Sequence, residues 1–299
     1  MQSWPLERKI QVTQTRIIEW YQKFNGQVYV SFSGGKDSTV LLDIARRIYP
    51  DIEAVFINTG LEYPEVRQFA LSKENVTALR PEMDFRTVIK TYGYPIISKR
   101  VAGYTASAKR NRNCTRARYL LGEIPNMIVG NGRWGFLIDA PFKVSDYCCH
   151  KMKVEPNHRF VKDTGKRPIF GTMADESFNR KQDWIKYGCN AFDAKEAKSR
   201  PMSFWTEQDV LRYIKEYNVP YASVYGEIIE DKDGKLQTTG CHRTGCVFCG
   251  FGCHLEKEPN RFQRLKITHP KLWNYCMKPW GEGGLGMKEV LEFINVKIE

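Results

Sequence analysis

Apolar and polar positions along the chain fall into two periods that follow one another in a regular order. Between residues 5 and 23 the apolar set Ile10, Val12, Ile17, Ile18 and Trp20 has the spacing of an amphipathic helix, and Asn25-Gly26 ends it. Val28 to Phe32 then reads as a short buried strand of β-branched and aromatic residues. From Ser38 onward, Val40, Leu41, Ile44 and Ile48 return to helical spacing until Tyr49-Pro50-Asp51 breaks the chain. A second strand over Ile52 to Ile57, a helix over 64–73 and a third strand over Asn75 to Leu79 complete a β-α-β-α-β run. Further on, Pro168-Ile169-Phe170 predicts another strand, and residues 201–221 a strand followed by a helix. In that helix Thr206 is the expected N-cap, Asp209 completes a capping box, and Val210, Leu211 and Ile214 face the core. Alternating units of this kind imply an α/β fold, a doubly wound parallel sheet with helices on both faces. The expected division is a nucleotide-binding domain over 1–225 and a cysteine-rich, metal-binding and capping extension of helices and loops over 226–299.

The first strand-to-helix turn reads Ser33-Gly34-Gly35-Lys36-Asp37-Ser38. Two glycines allow a tight turn with free backbone N–H groups, and the helix N-terminus behind them favours an anion. Lys36 adds a mobile charge and the serines add hydroxyl donors, so the turn suits phosphate or pyrophosphate. It is not a Walker A loop, because Val30 stands where that motif has glycine and Asp37 where it has Ser or Thr. The turn after the second strand, Asn58-Thr59-Gly60-Leu61-Glu62-Tyr63-Pro64-Glu65, lies where open α/β sheets place ligand contacts. A third such edge follows Phe170, where Gly171, Glu176, Ser177 and Arg180 offer a second phosphate or ribose contact.

Composition adds two constraints. With 42% hydrophobic and 27% charged residues the chain is a soluble globular type, no apolar run is long enough to span a bilayer, and Met-Gln-Ser-Trp-Pro-Leu-Glu-Arg-Lys is not expected to be an export signal. Nine cysteines without such a signal point to thiolate ligands in a reducing, cytoplasmic setting rather than to disulfides. The net charge of +12 favours a polyanionic partner. Residues 87–122 contain no acidic side chain, and there Lys109, Arg110, Arg112, Arg116 and Arg118 are interleaved with Tyr104 and Tyr119. That segment is read either as a nucleic-acid-binding track or as a solvated helix face.

The cysteines allow two metal sites. Cys241, Cys246, Cys249 and Cys253 could form a local zinc knuckle; alternatively Cys148 and Cys149 could join Cys246 and Cys249 around a [4Fe-4S] cluster. The cluster accounts for the tandem cysteines, which the knuckle leaves without a role. Cys241 and Cys253 are then spare thiols and candidate sulfur carriers, and Cys114, Cys189 and Cys276 plain buried residues.

Taken in order, these segments resemble the phosphoadenosine phosphosulfate (PAPS) reductase family of the adenine-nucleotide α-hydrolase, or PP-loop ATP pyrophosphatase, superfamily. The resemblance rests on Ser33–Ser38, on Asn58–Glu65, on Tyr147-Cys148-Cys149-His150-Lys151-Met152-Lys153-Val154-Glu155-Pro156, on Gly171–Arg180, on the Thr206 helix and on Cys246-Val247-Phe248-Cys249. It implies the Cys-Cys…Cys-x-x-Cys iron–sulfur branch, an adenine nucleotide with Mg²⁺ at the PP-loop, and sulfur chemistry. Asn58 replaces the family's aspartate, and Met152 and Met173 stand in two arginine slots. Family reductases carry a nucleophilic cysteine in a Glu-Cys-Gly-(Leu/Ile)-His tail, whereas no cysteine follows Cys276 here. The expected activity is therefore ATP-pyrophosphatase-type adenylation and thiolation of an acceptor such as tRNA or DNA. A cysteine desulfurase or thioredoxin is the expected sulfur-donor partner. Reduction of APS or PAPS with release of sulfite, and a non-enzymatic iron–sulfur adenylate sensor, are the alternatives. In the first reading Ser33, Gly34, Gly35 and Ser38 hold phosphates, Lys36 neutralises charge, Asp37 holds Mg²⁺ or positions the loop, and Thr59 and Gly60 contact the nucleotide; Cys253 is the candidate catalytic thiol, and in the reductase reading Cys253 or Cys276 replaces the missing tail nucleophile.

Overall fold

The structure is a computed structural model that describes all residues from Met1 to Glu299. Ten strands form: β1 Val28–Ser31, β2 Ala54–Ile57, β3 Val76–Leu79, β4 Ile96–Ile97, β5 Arg167–Phe170, β6 Asn190–Ala191, β7 Lys198–Ser199, β8 Ile228–Glu230, β9 Leu236–Thr238 and β10 Gly250–Phe251. The chain folds into two compact units, each built from separated segments.

The first unit comprises Met1–Asn58, Glu62–Arg80 and Pro156–Thr244. Its centre is a six-stranded sheet in the order β3-β2-β1-β5-β7-β6, parallel except for the β6–β7 edge. This is the doubly wound α/β architecture expected from the alternating pattern. The chain runs from β1 outward through β2 to β3 and later returns to pair β5 on the other side of β1. The order therefore reverses between β1 and β5, which is where open sheets of this class leave a crevice for ligand. Val28 and Val30 on β1, Phe32 just beyond it, Val40, Leu41 and Ile44 on the helix Lys36–Arg46, and Trp205 and Tyr213 fill the core. That helix starts two residues earlier than its apolar spacing indicated, because Gly35 rather than a side chain caps it.

Two other elements differ from expectation. Residues 201–205 form successive turns, with Ser203 N–H donating to Arg200 and Trp205 N–H to Met202, and the strand lies just before them at β7. Pro201 lacks the N–H that a continued ladder would need. The helix that follows is Glu207–Glu216, with the Thr206–Asp209 capping box in place. The β8–β9 hairpin packs in the first unit, where Gln208 Nε2 donates to the Leu236 carbonyl and Gln208 Oε1 accepts the Leu236 N–H.

The helix Leu6–Lys23 buries Ile17 and Trp20, as its pattern required, but also Lys9. Lys9 Nζ lies 2.5 Å from Asp209 Oδ2, and that carboxylate also accepts the Thr206 N–H and hydroxyl at 2.7 Å. One buried carboxylate thus caps a helix and ties it to the N-terminal helix. Removing one partner of a buried pair strands the other charge. Lys9→Ala is expected to lower unfolding free energy by about 3 kcal/mol, measured by urea denaturation; an effect below about 0.5 kcal/mol would mean that the pair has the weight of a surface contact.

The second unit comprises Thr59–Leu61, Pro81–Glu155 and Gly245–Glu299. It is mostly helical, and the basic stretch falls on two of its helices, Lys99–Arg110 and Thr115–Leu121.

Candidate active site

In the first unit, the turn after β1 is held by its own hydroxyls. Ser38 Oγ accepts the Ser33 N–H at 3.1 Å and lies 3.0 Å from Ser33 Oγ, while Gly35 N–H donates to Ser33 Oγ at 3.3 Å. Thr39 Oγ1 and Ser38 Oγ both donate to the Gly35 carbonyl. Gly34 has φ +72°, and a Cβ there would sit 2.9 Å from the Val66 carbonyl oxygen, so only glycine fits. Lys36 differs from the mobile cation its position suggested. Its ammonium is almost fully buried, 2.9 Å from Glu207 Oε1 and 2.9 Å from the His242 carbonyl, because Glu207 opens a helix beside it. Tyr225 completes the cradle: its hydroxyl accepts the Lys36 N–H at 3.3 Å and lies 2.6 Å from Thr244 Oγ1, and burial raises its pKa to about 12.

Across the switch point, Ser31 pairs Phe170, so Gly171 follows directly beside the turn. A Cβ on Gly171 would meet the Asp37 carbonyl oxygen at 3.0 Å and Ser38 Cα at 3.2 Å. The hydroxyl of Thr172, the next residue, is buried without a hydrogen-bond partner. Glu176 accepts the Met173 N–H at 2.9 Å and pairs with Arg180, and Ser177 caps the helix Phe178–Tyr187 by accepting the Arg180 N–H. Asp37 is pushed up to about 6, by burial first and then by the Glu176 charge, with Lys36 and Arg243 opposing. An acid held above its ordinary range by burial, and further by a nearby acid, gains from a cation, which suits a divalent ion arriving with phosphates.

The Asn58–Glu65 turn splits between the two units. In the first, Asn58 donates its N–H to Leu79 and its Oδ1 accepts from Arg67 Nε. In the second, Thr59 Oγ1 accepts the Leu61 N–H at 3.1 Å, Gly60 has φ +74°, and the Leu61 carbonyl accepts the Val247 N–H at 2.7 Å.

Within the second unit, one short extended segment gathers the cysteines. Tyr94 N–H donates to the Lys143 carbonyl and its own carbonyl accepts the Ser145 N–H, which leads the chain into Tyr147-Cys148-Cys149. Two residues beyond Tyr94, β4 pairs in parallel with β10, the strand that begins right after Cys249. Gly93, at φ +117°, and Gly250 permit these approaches: a Cβ would lie 2.4 Å from the Lys143 carbonyl carbon and 2.8 Å from Ile96 Cγ2, respectively. The four thiols Cys148, Cys149, Cys246 and Cys249 end up as electrostatic neighbours. Burial, then the Cys246, Cys149 and Cys249 sulfurs, push the Cys148 thiol far above its ordinary range; burial raises Cys249 to about 11, with the Phe251 N–H opposing. Such thiols are protonated without a cation and become thiolates with one. No three His, Cys, Asp or Glu side chains converge closely enough to grip a single ion. An all-sulfur donor set, with the Phe251 N–H directed at Cys249, fits an iron–sulfur group.

The wider geometry carries signs of strain. Ile97, β-branched and buried, has φ +63°, and its carbonyl accepts the Gly252 N–H. A π-helical turn, His150–Val154, follows the tandem cysteines. Cys253 is buried, with its Sγ 3.0 Å from the Gly250 carbonyl and its pKa raised by burial to about 12. Cys189 and Cys276 are buried as expected, whereas Cys114 is half-exposed at a helix start.

The family model for the phosphoadenosine phosphosulfate reductase domain matches residues 27–100 and 134–250, which carry both the turn and the four thiols. The chain belongs to this family. An uncharacterized protein of Methanocaldococcus jannaschii is 26% identical over 85% of the chain; the chain spans about half the length of the two archaeal relatives it matches, 41% and 55%. A phosphoadenosine 5'-phosphosulfate reductase of Gloeobacter violaceus is 24% identical over 75% of the chain and 73% of its own length. Among solved structures, the U34-tRNA thiolase NcsA of Methanococcus maripaludis with its [4Fe-4S] cluster aligns over 98% of the chain and 83% of its own, at 14% identity and a TM-score of 0.38.

Against the family pattern, Met152 and Met173 are both buried, so apolar packing occupies two slots that carry arginine in family reductases. The sequence reading missed Glu207, Tyr225, Thr244 and Thr172. Only the Thr206 capping box hinted at Glu207, and nothing in the local sequence marks Tyr225 as a partner of Lys36.

Two tests follow from this geometry. The raised Asp37 pKa means that the native state holds this proton more tightly than the unfolded chain. Its effect is absent below about pH 4 and becomes destabilising as pH rises through about 6. Asp37→Asn is therefore expected to stabilise the nucleotide-free protein at pH 8 by roughly 1–3 kcal/mol and to leave it unchanged near pH 4, read by urea unfolding at the two pH values. For the second site, Gly250→Ala is expected to lose bound iron after anaerobic reconstitution while the first unit keeps its far-ultraviolet dichroism; retention of wild-type iron would remove the close β4–β10 approach as the reason the thiols meet.

Proposed function

We propose that this family member is an enzyme that activates an acceptor with ATP at the Ser33–Ser38 turn and replaces the activated oxygen with sulfur. The observation that carries the reading is the pairing of two features in one chain: a hydroxyl-braced, glycine-dependent phosphate turn and four all-sulfur donors drawn from positions far apart in sequence. Buried methionines in place of the family's arginines remove two cations suited to a sulfonucleotide, which favours ATP over APS or PAPS.

The roles follow from the contacts. Backbone N–H groups of the turn and the Ser33 and Ser38 hydroxyls hold the phosphates that leave as pyrophosphate. Asp37, with Glu176 nearby, receives Mg²⁺, and Thr59 and Gly60 contact the nucleotide. The Thr172 hydroxyl offers one more donor at the same edge. Lys36, paired with Glu207, fixes the turn and contributes positive charge behind it. The acceptor oxygen attacks the α-phosphorus, the bond to the β-phosphate breaks, and pyrophosphate departs. A sulfide sulfur then attacks the activated carbon, and AMP departs with the oxygen. Cys148, Cys149, Cys246 and Cys249 would hold a [4Fe-4S] cluster, which supplies a soft site for sulfide; the role it gives the tandem Cys148-Cys149 supports it over a zinc knuckle. Cys253 stays as a candidate sulfur-carrying thiol that needs deprotonation before it can act. tRNA or DNA is the proposed acceptor, and a cysteine desulfurase or thioredoxin the proposed sulfur-supplying partner.

Anaerobic purification tests both halves. The expected protein is brown, contains iron and acid-labile sulfide, and releases pyrophosphate from ATP with magnesium, faster when tRNA or DNA is present. A colourless protein with stoichiometric zinc would sink the cluster. Sulfite release from APS or PAPS with thioredoxin, and no pyrophosphate from ATP, would replace the transferase reading with the reductase one.

A further inference from the structure

We infer that the second unit carries a pocket for one unpaired base of an RNA loop, flanked by a basic surface that holds the adjoining phosphates. This deepens the acceptor side of the proposed function and rests on it only for the identity of the acceptor. The pocket is a cleft of about 200 Å³ lined by Arg133, Trp134, Phe136, His254, Ile294 and Asn295. It is too small for a whole nucleotide cofactor and large enough for a single ring.

Its walls combine the rings of Trp134, Phe136 and His254 with the polar side chains of Arg133 and Asn295. Trp134 packs edge-on against His254, with ring centres 5.1 Å apart, and Phe136 beside it is 41% exposed. His254 Nδ1 is buried with no hydrogen-bond partner, and the Arg133 guanidinium lies 4.7 Å from the Trp134 ring centre. A buried ring nitrogen without a partner costs stability unless something visits it. A base supplies what is missing: an edge with donors and acceptors for His254, and a face for Phe136.

The surroundings supply the charge. The short helical turn Gly135–Asp139 packs on both helices that bear the basic side chains, Lys99–Arg110 and Thr115–Leu121, and the turn Met127–Val129 packs on the first of them. Arg112 and Arg118 are partly neutralised by Asp139 and Glu123, whereas Arg110 donates to the Ala106 carbonyl, Arg116 donates to the Ser107 hydroxyl and lies over the Tyr104 ring, and both are exposed. Met127 and Ile128 are also exposed, at 88% and 65%, an unusual apolar face for a basic surface. Cations with interleaved aromatic and apolar groups suit a strand whose bases are splayed out, and unpaired bases of that kind are presented chiefly by RNA loops. The stretch 101–133, which holds most of these residues, falls between the two segments matched by the family.

The test is fluorescence anisotropy on the full chain without ATP, with an end-labelled RNA hairpin bearing an unpaired loop, the same sequence as blunt RNA duplex, and the DNA hairpin. The wild-type protein is expected to prefer the RNA hairpin. Phe136→Ala and His254→Ala should each weaken hairpin binding about tenfold and leave duplex binding unchanged. Arg110→Gln with Arg116→Gln should weaken both and flatten the salt dependence. Unchanged thermal melting of the Phe136 variant, whose ring is largely exposed, guards against misfolding. Equal affinity for hairpin and duplex, or indifference to Phe136→Ala and His254→Ala, overturns the base pocket; equal or tighter binding of the DNA hairpin overturns RNA as its occupant. Pyrophosphate release by the same variants, assayed without nucleic acid, reports separately on the ATP reading.

Discussion

The parallel pairing of Val28–Ser31 with Arg167–Phe170 is the constraint on which the nucleotide side of this molecule depends. It closes a gap of well over a hundred residues and makes the β1–β5 boundary the point where strand order reverses. The Ser33–Ser38 turn and Gly171 then emerge from adjacent strand ends, and Gly171 comes so close to Asp37 and Ser38 that a single methyl group would push the helix N-terminus away. Lys36 is buried because Glu207 and the His242 carbonyl converge on it from two later segments of the same unit. The turn is thus braced from behind by charge, from within by serine hydroxyls, and from the side by Gly171.

In the second unit the comparable constraint is the segment from Gly93 to Ile97. One stretch of backbone accepts a neighbour from the chain that leads into Cys148 and another from the chain that leaves Cys249. It does so only because Gly93 and Gly250 carry no side chain, and it holds Ile97 in a conformation that a β-branched residue ordinarily avoids. The cost of burying thiols beside one another is visible at Cys148 and Cys249, whose pKa values burial raises, and a bound cation reverses it.

Much of this was legible along the chain. The Ser-Gly-Gly-Lys-Asp-Ser turn, the alternating strands and helices, and the Thr206 capping box are local signals, since periodicity and turn chemistry act within a few residues. Matching of residues 27–100 and 134–250 to the family confirms the resemblance that those motifs carried. The strand expected at 201–205 failed because its apolar residues are buried by turns, and burial alone does not distinguish a turn from an edge strand.

By itself, then, the sequence determined the α/β fold, the glycine-bearing turn after the first strand, the family and the presence of cysteine pairs suited to a metal group. Tertiary structure alone decided that Lys36 is pinned by Glu207, that burial and Glu176 raise the Asp37 pKa, that Tyr225 borders the turn, and that the basic helices adjoin a cleft around His254. The physical reason is range. Propensity and hydrophobic period act between near neighbours, whereas burial, charge proximity and an unsatisfied nitrogen depend on which distant segments the fold brings together.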